Sequence, residues 1–310
     1  MQTSRKTGRP LNMLTPALLY FHAVAQEGTL TDAAGKLHVS ASAISRQINR
    51  LESSLGTPLF NRHARGVELT EAGRLLLAYV RRAEAEGAAV REELLVSVQR
   101  KTRTLRVACA EGFARVWVPS AIASFSRQHD DVEFHLDVVS SSEGTRRVAE
   151  GEADVAAVFS LGPQSRVTVE HSMPTPVAFA LVAPGHPLAA HPRATLQDLC
   201  RYKLAITAPG SSQRELLDLA LQIEGLTPSI TLQSDHINPV IQFARSGTGV
   251  SLVSGLSLDR RDREDLVAVP VDHPVLRQRQ GQIQTMTGRT QPAILTAFVD
   301  ALIDALELFA

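Results

Sequence analysis

Cysteine is almost missing from the 310 residues: Cys109 and Cys200 stand far apart, and no CxxC pair occurs. A disulfide framework or thiolate metal site has nothing to rest on. Cys109 lies in the apolar stretch Leu105–Ala110 and reads as a small buried hydrophobe rather than a redox sensor. No run of about eighteen apolar residues is present, so no membrane partner is expected. The first ten residues, MQTSRKTGRP, lack the apolar core of a signal peptide, and the expectation is a cytoplasmic protein. Catalytic signatures are missing as well, with no GxSxG elbow, Walker A loop or HExxH helix. His186 and His191 lack a Cys or carboxylate at ligand spacing, and Gly247-Thr248-Gly249 is too short for a nucleotide fingerprint. The expectations are therefore no enzyme, no catalytic residue, no metal and no cofactor.

Net charge is absent overall, with 32 Lys+Arg against 32 Asp+Glu, but the two signs are unevenly placed. Residues 1–65 hold eight basic and three acidic side chains, giving +5, and residues 101–310 hold nineteen and twenty-three, giving −4. A basic first segment suits nucleic acid, and a slightly acidic remainder suits another task. At this length, with 44% hydrophobic residues, two or three cored domains are expected. Residues 1–10 read as a disordered basic arm. Leu14, Leu18, Phe21 and Ala25 then mark a first helix ending near Gly28.

From Thr29 to Leu69 two helical patterns flank a break at His38-Val39-Ser40. The second begins with Ser40 as an N-cap and buries Ile44, Ile48, Leu51 and Leu55 on one face. Its other face carries Ser42, Ser45, Arg46, Asn49 and Arg50, which suit base edges and phosphates. After Gly56-Thr57-Pro58, Leu59-Phe60 and Val67-Glu68-Leu69 read as short strands around the basic turn Asn61-Arg62-His63-Ala64-Arg65-Gly66. The pattern is a winged helix-turn-helix over residues 11–69, with Ser40, Ala41, Ser42, Ser45, Arg46, Arg50, Arg62, His63 and Arg65 as candidate contacts to double-stranded DNA.

Ala33, Ala34, Leu37, Val39, Ser40, Ala43, Ser45, Gln47, Ile48, Leu51, Glu52, Leu55, Gly56, Leu59, Phe60, Arg62, Val67, Leu69, Thr70, Ala72 and Gly73 follow an order that resembles the LysR-type transcriptional regulators. Ala41 departs from it, standing where that family often carries Gln. The resemblance implies a regulator that binds a partly palindromic operator as a homodimer or homotetramer.

Residues 70–100 read as one long helix capped by Thr70, about forty ångströms in length. Ala72, Leu76, Tyr79, Ala83, Val90 and Leu94 follow near-heptad spacing among charged neighbours. This stripe either packs on its own domain or, as the resemblance implies, forms an antiparallel linker-helix dimer.

Residues 101–310 alternate strand and helix. Strands are expected at 105–109, 132–139, 154–159, 177–182, 204–207, 230–233, 250–253 and 283–286, and helices at 114–129, 144–150, 196–200, 213–224, 238–246 and 292–309. Short connections argue for parallel sheets with helices on their faces. The resemblance, carried by Gly151–Ala156, Ala183–Ala189 and Gly247–Val250, implies a two-lobed, periplasmic-binding-protein-like α/β effector-binding domain. Lobe I would take residues 101–174 and 275–310, and lobe II residues 175–274.

Ligands of such sheets sit beyond the carboxyl ends of the strands, where helix N-termini present free amides. Ser140, Ser141, Ser142 and Thr145 follow one strand, Thr207, Ser211 and Ser212 a second, and His236 and Asn238 a third. These are the candidate contacts to a small polar or anionic effector. Arg115 and Arg214 are either anion partners or surface ion pairs. Two other classes remain open: an exported solute-binding module, for which residues 1–100 have no use, and an enzyme of this two-lobed form, which lacks motifs.

Overall fold

The computed structural model describes residues 14–63, 66–99, 102–175 and 178–307, and these form two compact units. The expected arm at residues 1–10 lies outside them.

In the first unit, α1 (Pro16–Glu27) begins where Thr15 Oγ1 accepts from Leu18 N and Pro16 occupies the first turn, where a missing N–H costs nothing. Helix α2 (Leu30–Leu37) is capped by Thr29 and stops at His38, which adopts the left-handed conformation. Helix α3 (Ala41–Leu55) starts with Ser40 Oγ accepting from Ala43 N at 3.2 Å and ends at Gly56, whose φ of 68° suits a residue without a Cβ. Strands β1 (Phe60–His63) and β2 (Gly66–Leu69) pair antiparallel, with Phe60 opposite Leu69. Phe21, Val24, Ala33, Ile44, Ile48, Leu59 and Phe60 form the core. Leu51 is only half-buried and Leu55 is exposed, so the buried face of α3 is shorter than its periodicity suggests. Periodicity marks a stripe but not how far the covering element extends.

Helix α4 (Glu71–Gln99) carries two apolar faces where the heptad spacing suggests one. Leu77 and Val80 enter the core of the first unit. Leu75, Tyr79, Val90 and Leu94 are exposed on the opposite side.

The second unit contains two five-stranded sheets of the same strand arrangement. The first lobe runs β3 (Arg103–Cys109), α5 (Glu111–Ala114), α6 (Trp117–Ser126), β4 (Val132–Val138), α7 (Ser141–Ala149), β5 (Val155–Ser160) and β6 (Val167–Pro174). The chain then crosses into β7 (Ala178–Val182), α8 (Leu196–Cys200), β8 (Lys203–Thr207), α9 (Ser212–Glu224), β9 (Ser229–Ser234), α10 (Ile237–Arg245), β10 (Val250–Ser254), α11 (Arg260–Asp265) and β11 (Val267–Pro270). It returns through β12 (Gln280–Met286) and α12 (Ala293–Glu307). The sheet orders are β4-β3-β5-β12-β6 and β9-β8-β10-β7-β11.

In each sheet three adjacent strands pair parallel, and one strand, β12 or β7, runs antiparallel between them and the edge strand β6 or β11, which corrects the expectation of wholly parallel sheets. Strand β6 alternates buried and exposed residues along one edge, and β11 lines another; neither was among the expected strands. Their partners come from distant parts of the chain. The expected helix from Ala114 starts instead at Trp117, because Val116 leaves the helical region at φ −128°, ψ −60°. Trp117, Phe113, Phe125, Val155 and Phe298 fill the first lobe, and Trp117 Nε1 donates to Leu302 O at 3.1 Å. Leu196, Leu204, Ile206, Leu217 and Leu252 fill the second, while Val240 and Ile241 of α10 cover its other face.

Candidate nucleic-acid interface and ligand cavity

Because α3 buries Ile44 and Ile48, spacing alone turns Ser42, Arg46, Asn49 and Arg50 outward, and all four are exposed. Among the described residues neither Arg46 nor Arg50 has an acidic partner, so both guanidiniums face solvent uncommitted. Ser45 is half-buried, and Ala41 packs partly against the core. Ser40 serves as the cap, with its Oγ 3.1 Å from Ser42 Oγ. The wing is fastened to this helix through Glu52, which accepts from Leu59 N at 2.7 Å and Phe60 N at 3.3 Å. Arg62 is partly committed to the same joint, donating to Asn49 Oδ1 at 2.5 Å and lying 3.8 Å from Glu52. His63 is exposed at the end of β1, 3.7 Å from Glu68. Arg65 lies outside the described residues.

In the second unit a cavity of about 340 Å³ opens between the two sheets. Ser140 and Ser141 reach it from the end of β4, Thr207, Ser211 and Ser212 from the end of β8, and His236 from the end of β9. Ser142 and Thr145 line a neighbouring hollow of about 370 Å³ instead, and Thr145 Oγ1 donates to Gln284 Oε1 at 2.8 Å. Asn238 lines neither. The hydroxyls also do structural work: Ser140 and Ser211 cap α7 and α9, Ser141 Oγ accepts from Phe159 N, and Thr207 Oγ1 lies 2.7 Å from Ser211 Oγ.

Sequence reasoning passed over Glu111, Phe159, Gln213, Ser254 and Arg279, which also line the cavity. Glu111 Oε1 accepts from Ile237 N at 2.9 Å, joining the first lobe to the N-terminus of α10 in the second. Arg115, from the first lobe, pairs with Asp259 and the buried Asp262 of the second. Arg214 pairs with Asp218 and donates to Gln233. Both arginines are ion-paired, Arg115 with a fully buried carboxylate rather than at the surface. Gly247 ends α10 with a φ of 70°, and a Cβ on Gly249 would lie 2.2 Å from Lys203 O, which gives that glycine motif a backbone role.

Burial, with the charge of Glu111 added, pushes the Cys109 thiol up to about 12. Burial also raises the half-buried Cys200. At pH 8 a disulfide thiol reagent should modify at most one thiol of the native protein and both after denaturation. Rapid release of two equivalents from native protein would show that Cys109 is reactive.

A winged helix-turn-helix joined by a long helix to a two-lobed domain with a central cavity defines a DNA-binding regulator with a ligand-sensing half. Residues 99–307 match the LysR substrate binding domain, and residues 16–74 match the bacterial regulatory helix-turn-helix protein, lysR family. The chain belongs to the LysR family of transcriptional regulators. It is 31% identical over 240 residues to the RuBisCO operon transcriptional regulator of Allochromatium vinosum, covering 76% of this chain and 78% of that one. It is 27% identical over 286 residues to the transcriptional regulator CysB of Burkholderia cenocepacia, covering 92% and 90%. A full-length OxyR variant from Pseudomonas aeruginosa shares the fold, with a TM-score of 0.60, 20% identity and 96% of each chain covered. No described helix is long and apolar enough to cross a membrane.

Proposed function

We propose that this regulator recognises its operator through the outward face of α3 and is controlled by a small polar or anionic effector held in the cavity between its two lobes. The observation that carries the reading is the pair of guanidiniums, Arg46 and Arg50, exposed and without an acidic partner among the described residues, beside Ser42 and Asn49 on a helix whose opposite face is buried. Arg46 and Ser42 stand near the start of the helix and approach base edges; Arg50 and His63 meet phosphates, and Arg62 sets the angle of the wing. The exposed face of α4, with Leu75, Tyr79, Val90 and Leu94, supports a homodimer or a dimer of dimers through paired linker helices. An effector that closes the lobes differently shifts the equilibrium between assemblies with different spacing of their DNA-binding heads.

The test is fluorescence anisotropy on DNA from upstream of the protein's own gene and on scrambled DNA, each at two salt concentrations. Arg46→Ala should weaken upstream binding by about 1–3 kcal/mol while leaving scrambled-DNA binding nearly unchanged. Equal loss on both DNAs would move Arg46 to phosphate contact, and no preference by the parent chain would sink the operator reading.

A further inference from the structure

Buried polar atoms in a native fold are nearly always paired, so an unpaired one asks for a cause. Three such atoms belong to residues lining the central cavity: Gln213 Nε2, Ser254 Oγ and Arg279 Nε. Gln213 is 8% exposed, Ser254 1% and Arg279 5%. An amide nitrogen and a guanidinium only donate, and a hydroxyl can donate. The unmet demand is therefore for an acceptor.

Arg279 narrows it further. Among the described residues no carboxylate pairs with its guanidinium, whose carbon instead lies 3.9 Å from the centre of the Phe159 ring. Stacking on one ring offsets only part of the cost of burying a charge. Desolvation draws its pKa down to about 10, which still leaves it charged at neutral pH. Glu111, the acid on the neighbouring wall, is engaged by the backbone of Ile237. A chain that keeps a buried, unpaired arginine against a cavity is set up for a counterion that arrives from outside.

The rest of the wall describes the remainder of the ligand. Val138, Val139, Pro209 and Ile237 are apolar, and about 340 Å³ is far more room than a bare inorganic anion fills. We propose that the effector is a small organic carboxylate, its anionic head on Arg279 with help from Gln213 and Ser254, and its compact apolar body against Val138, Pro209 and Ile237. The proposal rests on reading this cavity as the effector site.

The full-length protein is tested without DNA, by thermal shift and calorimetry, against matched probes: benzoate with benzamide, cyclohexanecarboxylate with cyclohexanecarboxamide, and sulfate. At least one acid should raise the melting temperature and bind about tenfold or more tightly than its amide, as a charge-assisted pair requires, and sulfate should bind more weakly than that acid. Arg279→Met should lose that preference, yet melt no lower than the parent when ligand-free, because it removes an uncompensated buried charge. Amides binding as well as acids, no response to either acid, sulfate matching the acids, or a ligand-free Arg279→Met that melts several degrees lower or fails to fold would each overturn the proposal. The acid-against-amide comparison needs no variant. Because DNA is absent, failure of the operator reading leaves this result standing: DNA without preference and acid binding to the cavity can be observed together.

Discussion

Gly73→Ala is expected to destabilise the DNA-binding head by about 3 kcal/mol, the upper end of what overpacking costs. Gly73 lies in the first turn of α4, where Gly73 N donates to Thr70 Oγ1 and Thr70 Oγ1 donates to Pro58 O. Those bonds press α4 against the entry to the wing so closely that a Cβ on Gly73 would lie 2.1 Å from Leu59 O. Carbonyl oxygen of a strand entry is not a flexible neighbour, so α4 must lift and take Leu77 and Val80 partly out of the core. Gly35→Ala supplies the control: it is a helical glycine with nothing within 4 Å of its would-be Cβ, and alanine there should stabilise by about 0.5–1 kcal/mol. The chain's one tryptophan, Trp117, sits in the core of the first lobe and does not report on the head. Urea unfolding of Gly73→Ala should therefore shift an early circular-dichroism transition and leave the tryptophan transition in place. Matching behaviour of the two glycine variants would refute the close-packing argument.

Asp262→Ala should cost the effector-binding unit about 3–5 kcal/mol, because it strips a shared carboxylate from two half-buried guanidiniums. The Asp262 side chain is fully buried. It takes Arg115 of the first lobe and Arg245 of the second, and accepts from Asp259 N at 3.2 Å. Burial pushes its carboxyl up, but hydrogen bonds from Arg115 and from the Asp259 backbone outweigh that, and the net position is below the usual carboxylate range. A folded-state pKa below the unfolded value, about 3.9 for Asp, makes the contribution complete above that value and lost as pH falls through the folded one. The stability gap between parent and Asp262→Ala, followed by Trp117 emission in urea, should be full at pH 7 and close below about pH 4. A gap that widens on acidification would show that the carboxylate is not what stabilises this joint.

The head was legible because its instructions are local. Ser40 precedes the helix it caps, and Ile44 with Ile48 turns Ser42, Arg46 and Arg50 to the other side by geometry alone. The hydroxyl positions Ser140, Ser141, Thr207, Ser211 and Ser212 were legible for the same reason, since strand ends and helix starts are marked by neighbouring residues. Arg279 had no such marker. It stands in the run Arg277-Gln278-Arg279-Gln280, which reads as polar surface, and only the return of the chain beside β5 sets it over Phe159.

The long helix shows the same division. Its apolar residues were visible, but Leu77 and Val80 differ from Leu75 and Tyr79 only in which side of α4 meets the core. The sequence by itself determined the two-part organisation, the cap of α3, the outward polar face of α3 and the placing of hydroxyls at strand ends, because each depends on spacings within a few residues. Tertiary structure alone decided the antiparallel strands, the shared carboxylate of Asp262 and the unpaired charge of Arg279. Those depend on which distant segments meet, and contact between segments far apart in the chain leaves no period or cap in either of them.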